Sequence, residues 1–91
     1  MKLWKIEQSV NGDYDTFDSA VVAAETEQAA RETHPRANRV LIEGRFWFVN
    51  RHGNHHDDDT WAPVADVKAT YIGEAAPGTE AGVIVASFNA G

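Results

Sequence analysis

The residues best suited to chemistry crowd into one stretch: His52, His55, His56, Asp57, Asp58 and Asp59. Imidazole and carboxylate are suitable donors for Zn²⁺, Ni²⁺ or Mn²⁺, and the neighbouring acids keep a cation attractive. His52, His55, His56 and Asp57 are therefore candidate metal ligands, and a metal-binding protein or metal-dependent hydrolase is one reading of the chain. Against it, no HExxH helix, fixed Cys/His spacing or Gly-rich metal loop surrounds them. A loop also rarely provides the outer partners that hold metal ligands in place. The competing reading is a solvated polar loop. Asp57-Asp58-Asp59 as a catalytic carboxylate pair is weaker, because consecutive side chains point in different directions.

Other chemistry is thinly represented. Ser9, Ser19 and Ser87 offer hydroxyls, but none sits in a Gly-x-Ser-x-Gly elbow. There is no cysteine, hence no thiol nucleophile and no disulfide framework. Gly73, Gly78 and Gly82 do not form a phosphate cradle and read as turn residues. No catalytic residue and no cofactor is assigned.

The aromatic segment Arg45-Phe46-Trp47-Phe48, with Arg51 close behind, carries a different kind of chemistry. Strand alternation sends Phe46 and Phe48 to one side and Trp47 to the other. A sheet covered by one helix buries only one side fully, so either Trp47 or the Phe pair is expected to stay partly exposed. Trp, Phe and Arg together are the composition of binding hot spots. Arg45, Phe46, Trp47, Phe48 and Arg51 are thus the candidate partner-binding residues. The competing reading is core packing, in a sheet folded over enough to bury both faces or in a homodimer.

The elements that must position these residues are short. Trp4 and Ile6 alternate with Lys5 and Glu7, predicting a half-buried strand, and Asn11-Gly12-Asp13 predicts a tight turn. A second strand, antiparallel to the first, is expected over 17–24. Thr26 is suited to N-cap a helix of about two turns with Glu27 in its first turn, stopped by Pro35. Such a helix is too short to stand alone and must lie on the sheet. Val40-Leu41-Ile42 and Phe46-Trp47-Phe48-Val49 flank Glu43-Gly44, which is either a hairpin turn or a bulge in one long strand. A polar loop follows over 50–63, then a strand over 64–73 and a final strand over 83–88, expected to pair with each other across Pro77-Gly78. The expected fold is α+β: an antiparallel sheet of 4–6 strands with one short helix on one face, in the order β-β-α-β(β)-β-β, as a single domain of residues 1–91.

Composition narrows the class of function. Ninety-one residues make a small core, and three Trp, four Phe and two Tyr must supply much of it. The net charge of −6 is uneven. Residues 1–33 set Lys2, Lys5 and Arg31 against seven acids, net −4, and residues 57–91 set Lys68 against six, net −5. Between them Arg36, Arg39, Arg45 and Arg51 face only Glu43, net +3. That balance disfavours a nucleic-acid binder, which needs concentrated Lys and Arg. The four arginines are candidates for a local anion-facing patch. Conversely, Asp13, Asp15 and Asp18 together with Asp57, Asp58 and Asp59 are candidates for an acidic surface mimicking a phosphate row, though the charge is modest. The chain opens without a signal-peptide pattern and holds no stretch of the ~20 apolar residues that spans a membrane. A cytoplasmic location and no membrane partner are expected.

Two stretches carry a resemblance. Tyr14-Asp15-Thr16-Phe17-Asp18-Ser19-Ala20-Val21-Val22-Ala23-Ala24-Glu25, running into Glu27 through Pro35, resembles the front half of small uncharacterised proteins of tailed phages and prophages. The ending Gly82-Val83-Ile84-Val85-Ala86-Ser87-Phe88-Asn89-Ala90-Gly91 is similar to their shared C-terminus. Together they span about half the chain and leave out the central histidine loop. The resemblance transfers no catalytic residue. It implies a phage accessory protein that binds and modulates or inhibits a host protein, with anti-defence (anti-CRISPR-like) action among the expectations.

Overall fold

The computed structural model describes residues 1–10, 16–36, 39–58 and 60–89, the last by its backbone. The turn expected at 11–13 lies outside them, as do Asp15 and Asp59. The fold is α+β and antiparallel, as the alternation predicts, with its strands divided between two sheets. β1 (Lys2–Glu7) and β2 (Thr16–Ala24) form a central pair, flanked by β6 (Lys68–Glu74) and β7 (Gly82–Asn89) in the order β6-β1-β2-β7. β3 (Arg39–Ile42), β4 (Arg45–Val49) and β5 (His55–Asp57) form the second sheet in chain order.

Turn chemistry explains the second sheet. Ile42 pairs with Arg45, leaving Glu43 and Gly44 as a two-residue loop with φ of 51° and 79°. Two consecutive positive φ values define the tight hairpin turn whose twist matches that of the strands. Glu43-Gly44 is therefore a hairpin, not a bulge. Within the stretch expected to be loop, His55–Asp57 pairs with Trp47–Val49. Asn50 folds the intervening turn: its side-chain oxygen accepts from the amides of His52 and Asn54. A local side-chain acceptor of this kind fixes a tight reversal.

The helix α1 (Glu27–Arg31) is shorter than the two turns expected. Thr26 caps it as predicted, its hydroxyl accepting from the Ala29 amide at 3.0 Å. Ala30 is fully buried, and α1 packs on β1, β2 and β6. Arg31 extends this contact, donating to the carbonyls of Val67 and Val64 at 3.1 and 2.9 Å.

Two expectations are corrected. Residues 64–66 are not strand but a 3₁₀ turn, and β6 begins only at Lys68. Pro63 sets it up, the Val64 amide is drawn to the Gly44 carbonyl at 2.9 Å, and Arg31 holds its carbonyls. Second, β7 pairs with β2 and not with β6. The loop after β6 carries the chain across to the opposite edge, where Phe88 packs on Phe17 with ring centroids 4.8 Å apart. Loop-closure cost grows slowly with length, so the longer connection to β2 is a small penalty beside such side-chain packing.

The core lies on one face of the larger sheet. Ile6, Ala20, Val22 and Ala24 point into it, with Trp61, the largest fully buried side chain, Phe46, Val64 and Val67 opposite. Among the described residues, no helix is long and apolar enough to cross a membrane.

Candidate functional site

The buried polar centre was not apparent as a group from the sequence. Asp58 follows β5, His34 follows α1 and Arg39 opens β3, and their side chains meet inside the core at 2%, 3% and 7% exposure. His34 Nδ1 accepts from the Arg36 amide at 2.9 Å. A backbone N–H only donates, so the ring proton sits on Nε2, which donates to Asp58 Oδ2. Arg39 Nε approaches the same oxygen at 3.3 Å. The other oxygen accepts from the Thr60 amide at 3.0 Å and its hydroxyl at 2.6 Å. Phe17, Phe46 and Trp61 ring the imidazole at 5.0–6.4 Å.

Burial alone raises a carboxyl pKa. Here the hydrogen bonds from His34 and Thr60 outweigh that effect, and Asp58 is held well below the usual carboxylate range. The arrangement resembles half of a catalytic triad but is closed to chemistry. Both imidazole nitrogens already have protein partners, so no lone pair is left to take a proton from a nucleophile or to bind a metal. Ser19 and Ser87 pair with each other across β2 and β7 on the opposite face of the sheet. The cluster is a clamp that ties α1, β3 and β5 together. Its signal is absent from local pattern, because the three residues belong to three different elements.

The metal-ligand candidates separate. In β5, His55 and Asp57 point to one face of the strand and His56 to the other. His56 lies 6.3 Å from the Phe48 ring, with its Nε2 3.2 Å from the Asn50 amide nitrogen. Asp57 takes both oxygens to Arg45 Nη2 at 2.9 Å. Among the described residues, no group of three or more His, Cys, Asp or Glu comes together. The acidic row does not form from 57 and 58 either, since Asp58 points into the core.

The aromatic candidates split more finely than alternation alone foretells. Phe46 is 6% exposed and belongs to the core, so it is unavailable to a partner, whereas Phe48, on the same face, is 40% exposed. The difference is position: Phe46 sits where the hairpin crosses Trp61 and His34, and Phe48 lies farther along β4, away from that crossing. Trp47 points the other way with Arg45 and Val49. Arg45 lies 5.8 Å over the Trp47 ring while ion-paired to Asp57. Cross-strand, Trp47 pairs with Val40 and Arg45 with Ile42, both partners exposed. This outer face, Val40, Ile42, Arg45 and Trp47, is apolar with a charged rim. Val40 and Ile42 were missed because they alternate with the buried-side residues of β3, and only the pairing register puts them beside Trp47. Arg51 is exposed in the β4–β5 turn.

The four central arginines do not form a patch. Arg39 is buried on Asp58, Arg45 pairs with Asp57, Arg36 lies over the rings of Phe17 and Phe88, and Arg51 stands in its turn.

Comparison of the chain with protein-family models, curated proteins and solved structures returns no match.

Proposed function

We propose that the chain is a non-catalytic protein-binding module, a phage accessory protein that binds and modulates or inhibits a protein of its bacterial host in the cytoplasm. The observation that carries this reading is the outer face of the three-stranded sheet. Val40 and Ile42 leave more than a third of their surface in water beside Trp47 and Arg45. A small domain gains stability by burying such side chains, and this one leaves them at the rim of an ion pair, the composition of a recognition patch. The polar cluster supports the same reading from the other side, since its side chains are buried against one another inside the fold. The phage origin and the inhibitory role rest on the resemblance of the 14–35 and 82–91 stretches.

The test is affinity capture from bacterial lysate with the wild type and Val40→Glu in parallel, after matched melting curves. A single stoichiometric partner retained by the wild type and lost at least about tenfold with Val40→Glu supports the reading, because a charge on a desolvated patch costs several kcal/mol. Equal capture by both proteins defeats the assignment of this face.

A further inference from the structure

We infer that the free edge of β7 is a self-association surface, on which two copies of the chain pair β7 with β7 antiparallel about a two-fold axis. This surface is distinct from the outer face of β3–β5. β7 is one edge of the larger sheet, and among the described residues no strand pairs with its outer side. Exposed edges are normally guarded by charge, by proline or by a bulge. The opposite edge, β6, obeys that rule with Lys68 and Glu74 at its ends. β7, reading GVIVASFN, carries neither a charge nor a proline. Ile84 and Val85 are more than half exposed on it. An apolar edge with neither charge nor proline is open to a strand that covers it.

The charges at its two ends say by what. Arg36 stands 5.5 Å over the ring of Phe88, near the end of the strand, and Glu80 lies exposed just before its start. Neither makes an ion pair among the described residues. Glu80 and Phe88 are equally distant from Ile84 along the chain. An antiparallel copy centred on Ile84 therefore sets Glu80 of one protomer opposite Phe88 of the other, beside Arg36. The two-fold repeats the contact at the far end, the reciprocity an isologous interface requires. Pairing joins two four-stranded sheets into one whose outer edges are both the charged β6, so assembly stops at two. In the β2–β7 ladder the register steps between Val21 and Val22, so Ile84 is the extra residue of a bulge that bends β7 at the centre of the seam.

Sedimentation equilibrium of the full chain from about 1 µM to about 1 mM tests this, a range that brackets a weak one-strand interface. The expected result is a mass rising from monomer to dimer and no further. Val85→Lys, which adds like charges close to the axis, should remain monomeric with an unchanged melting temperature in dilute solution. Glu80→Arg should weaken the dimer at least about tenfold by setting an arginine against Arg36 at each end of the seam, and Arg36→Glu with Glu80→Arg should restore it. A monomer at every concentration, or a dimer indifferent to Val85→Lys, overturns the proposal. So does a folded charge-swapped variant that fails to recover association. If Arg36→Glu fails to fold, Val85→Lys and Glu80→Arg decide the question alone, and a dimer insensitive to either overturns it.

Discussion

His34 and Asp58 are hydrogen-bonded inside the core, one donated by the loop after the helix and the other by the loop after the last strand of the small sheet. Because Asp58 also receives Arg39 and Thr60, one carboxylate terminates four contacts from three residues. The cluster joins the segment after α1 to both ends of the small sheet, and the Phe17 amide of β2 donates to the Thr60 carbonyl beside it at 2.9 Å.

Removal of the carboxylate should therefore be expensive. Asp58→Ala removes the buried carboxylate that His34, Arg39 and Thr60 share and should cost about 3–5 kcal/mol, the usual penalty for breaking a buried pair from one side. Urea denaturation of the two proteins measures it. A loss below about 1 kcal/mol would place Asp58 with ordinary surface pairs.

The same group sets the acid limit of stability. Asp58 titrates lower in the folded protein than in the unfolded chain, so on acidification the unfolded state takes up the proton first. Its stabilisation is complete above the unfolded carboxylate value, about pH 4, and is lost as the pH falls from there toward the lower folded value. Melting temperature plotted against pH should fall more gently below about pH 4 in Asp58→Asn than in the wild type. Parallel curves would remove Asp58 as the source of acid sensitivity.

The aromatic segment separates by burial. Phe46→Ala opens the core next to Trp61 and should cost about 3–5 kcal/mol. Trp47→Ala, on the outer face, should cost less than about 2 kcal/mol while abolishing partner capture, as expected of a hot-spot side chain. Chemical denaturation ranks the two. A Trp47→Ala penalty as large as that of Phe46→Ala would make Trp47 a core residue and withdraw it from the interface.

The histidine loop gives a clean metal prediction. With His55 and His56 on opposite faces of β5, Zn²⁺ or Mn²⁺ should leave the melting temperature unchanged, since only an ion bound preferentially to the folded state raises it. His55→Ala with His56→Ala should behave as the wild type. A metal-dependent rise abolished by that double variant would restore the metal-binding reading.

The hairpin turn can be improved. Glu43 holds a positive φ of 51°, a conformation that Asn tolerates better than Glu. Glu43→Asn should raise stability by up to about 1 kcal/mol, and Gly44→Ala should lower it by about 1 kcal/mol. Thermal unfolding of both variants checks the turn type, and a neutral Gly44→Ala would contradict it.

Local rules made half of this protein legible. Thr26 announces its helix because an N-cap bond closes within three residues, and Glu43-Gly44 limits its stretch to a turn or a bulge because few residues accept positive φ. The alternation of Trp4, Lys5 and Ile6, and the absence of long apolar runs, likewise specify antiparallel strands and the α+β class. Tertiary structure decided the rest. Any two antiparallel strands offer one another the same backbone hydrogen bonds, so the joining of β7 to β2 rests on side-chain contacts such as Phe88 on Phe17, across a distance in sequence that no local pattern records. Phe46 and Phe48 are identical by type and alternation, yet one is core and the other half in water, because burial depends on what crosses above each ring. For the same reason His34, Arg39 and Asp58 are three unremarkable polar residues in the sequence. They become one charged cluster only when three elements close over them and exclude the water that would otherwise satisfy each separately.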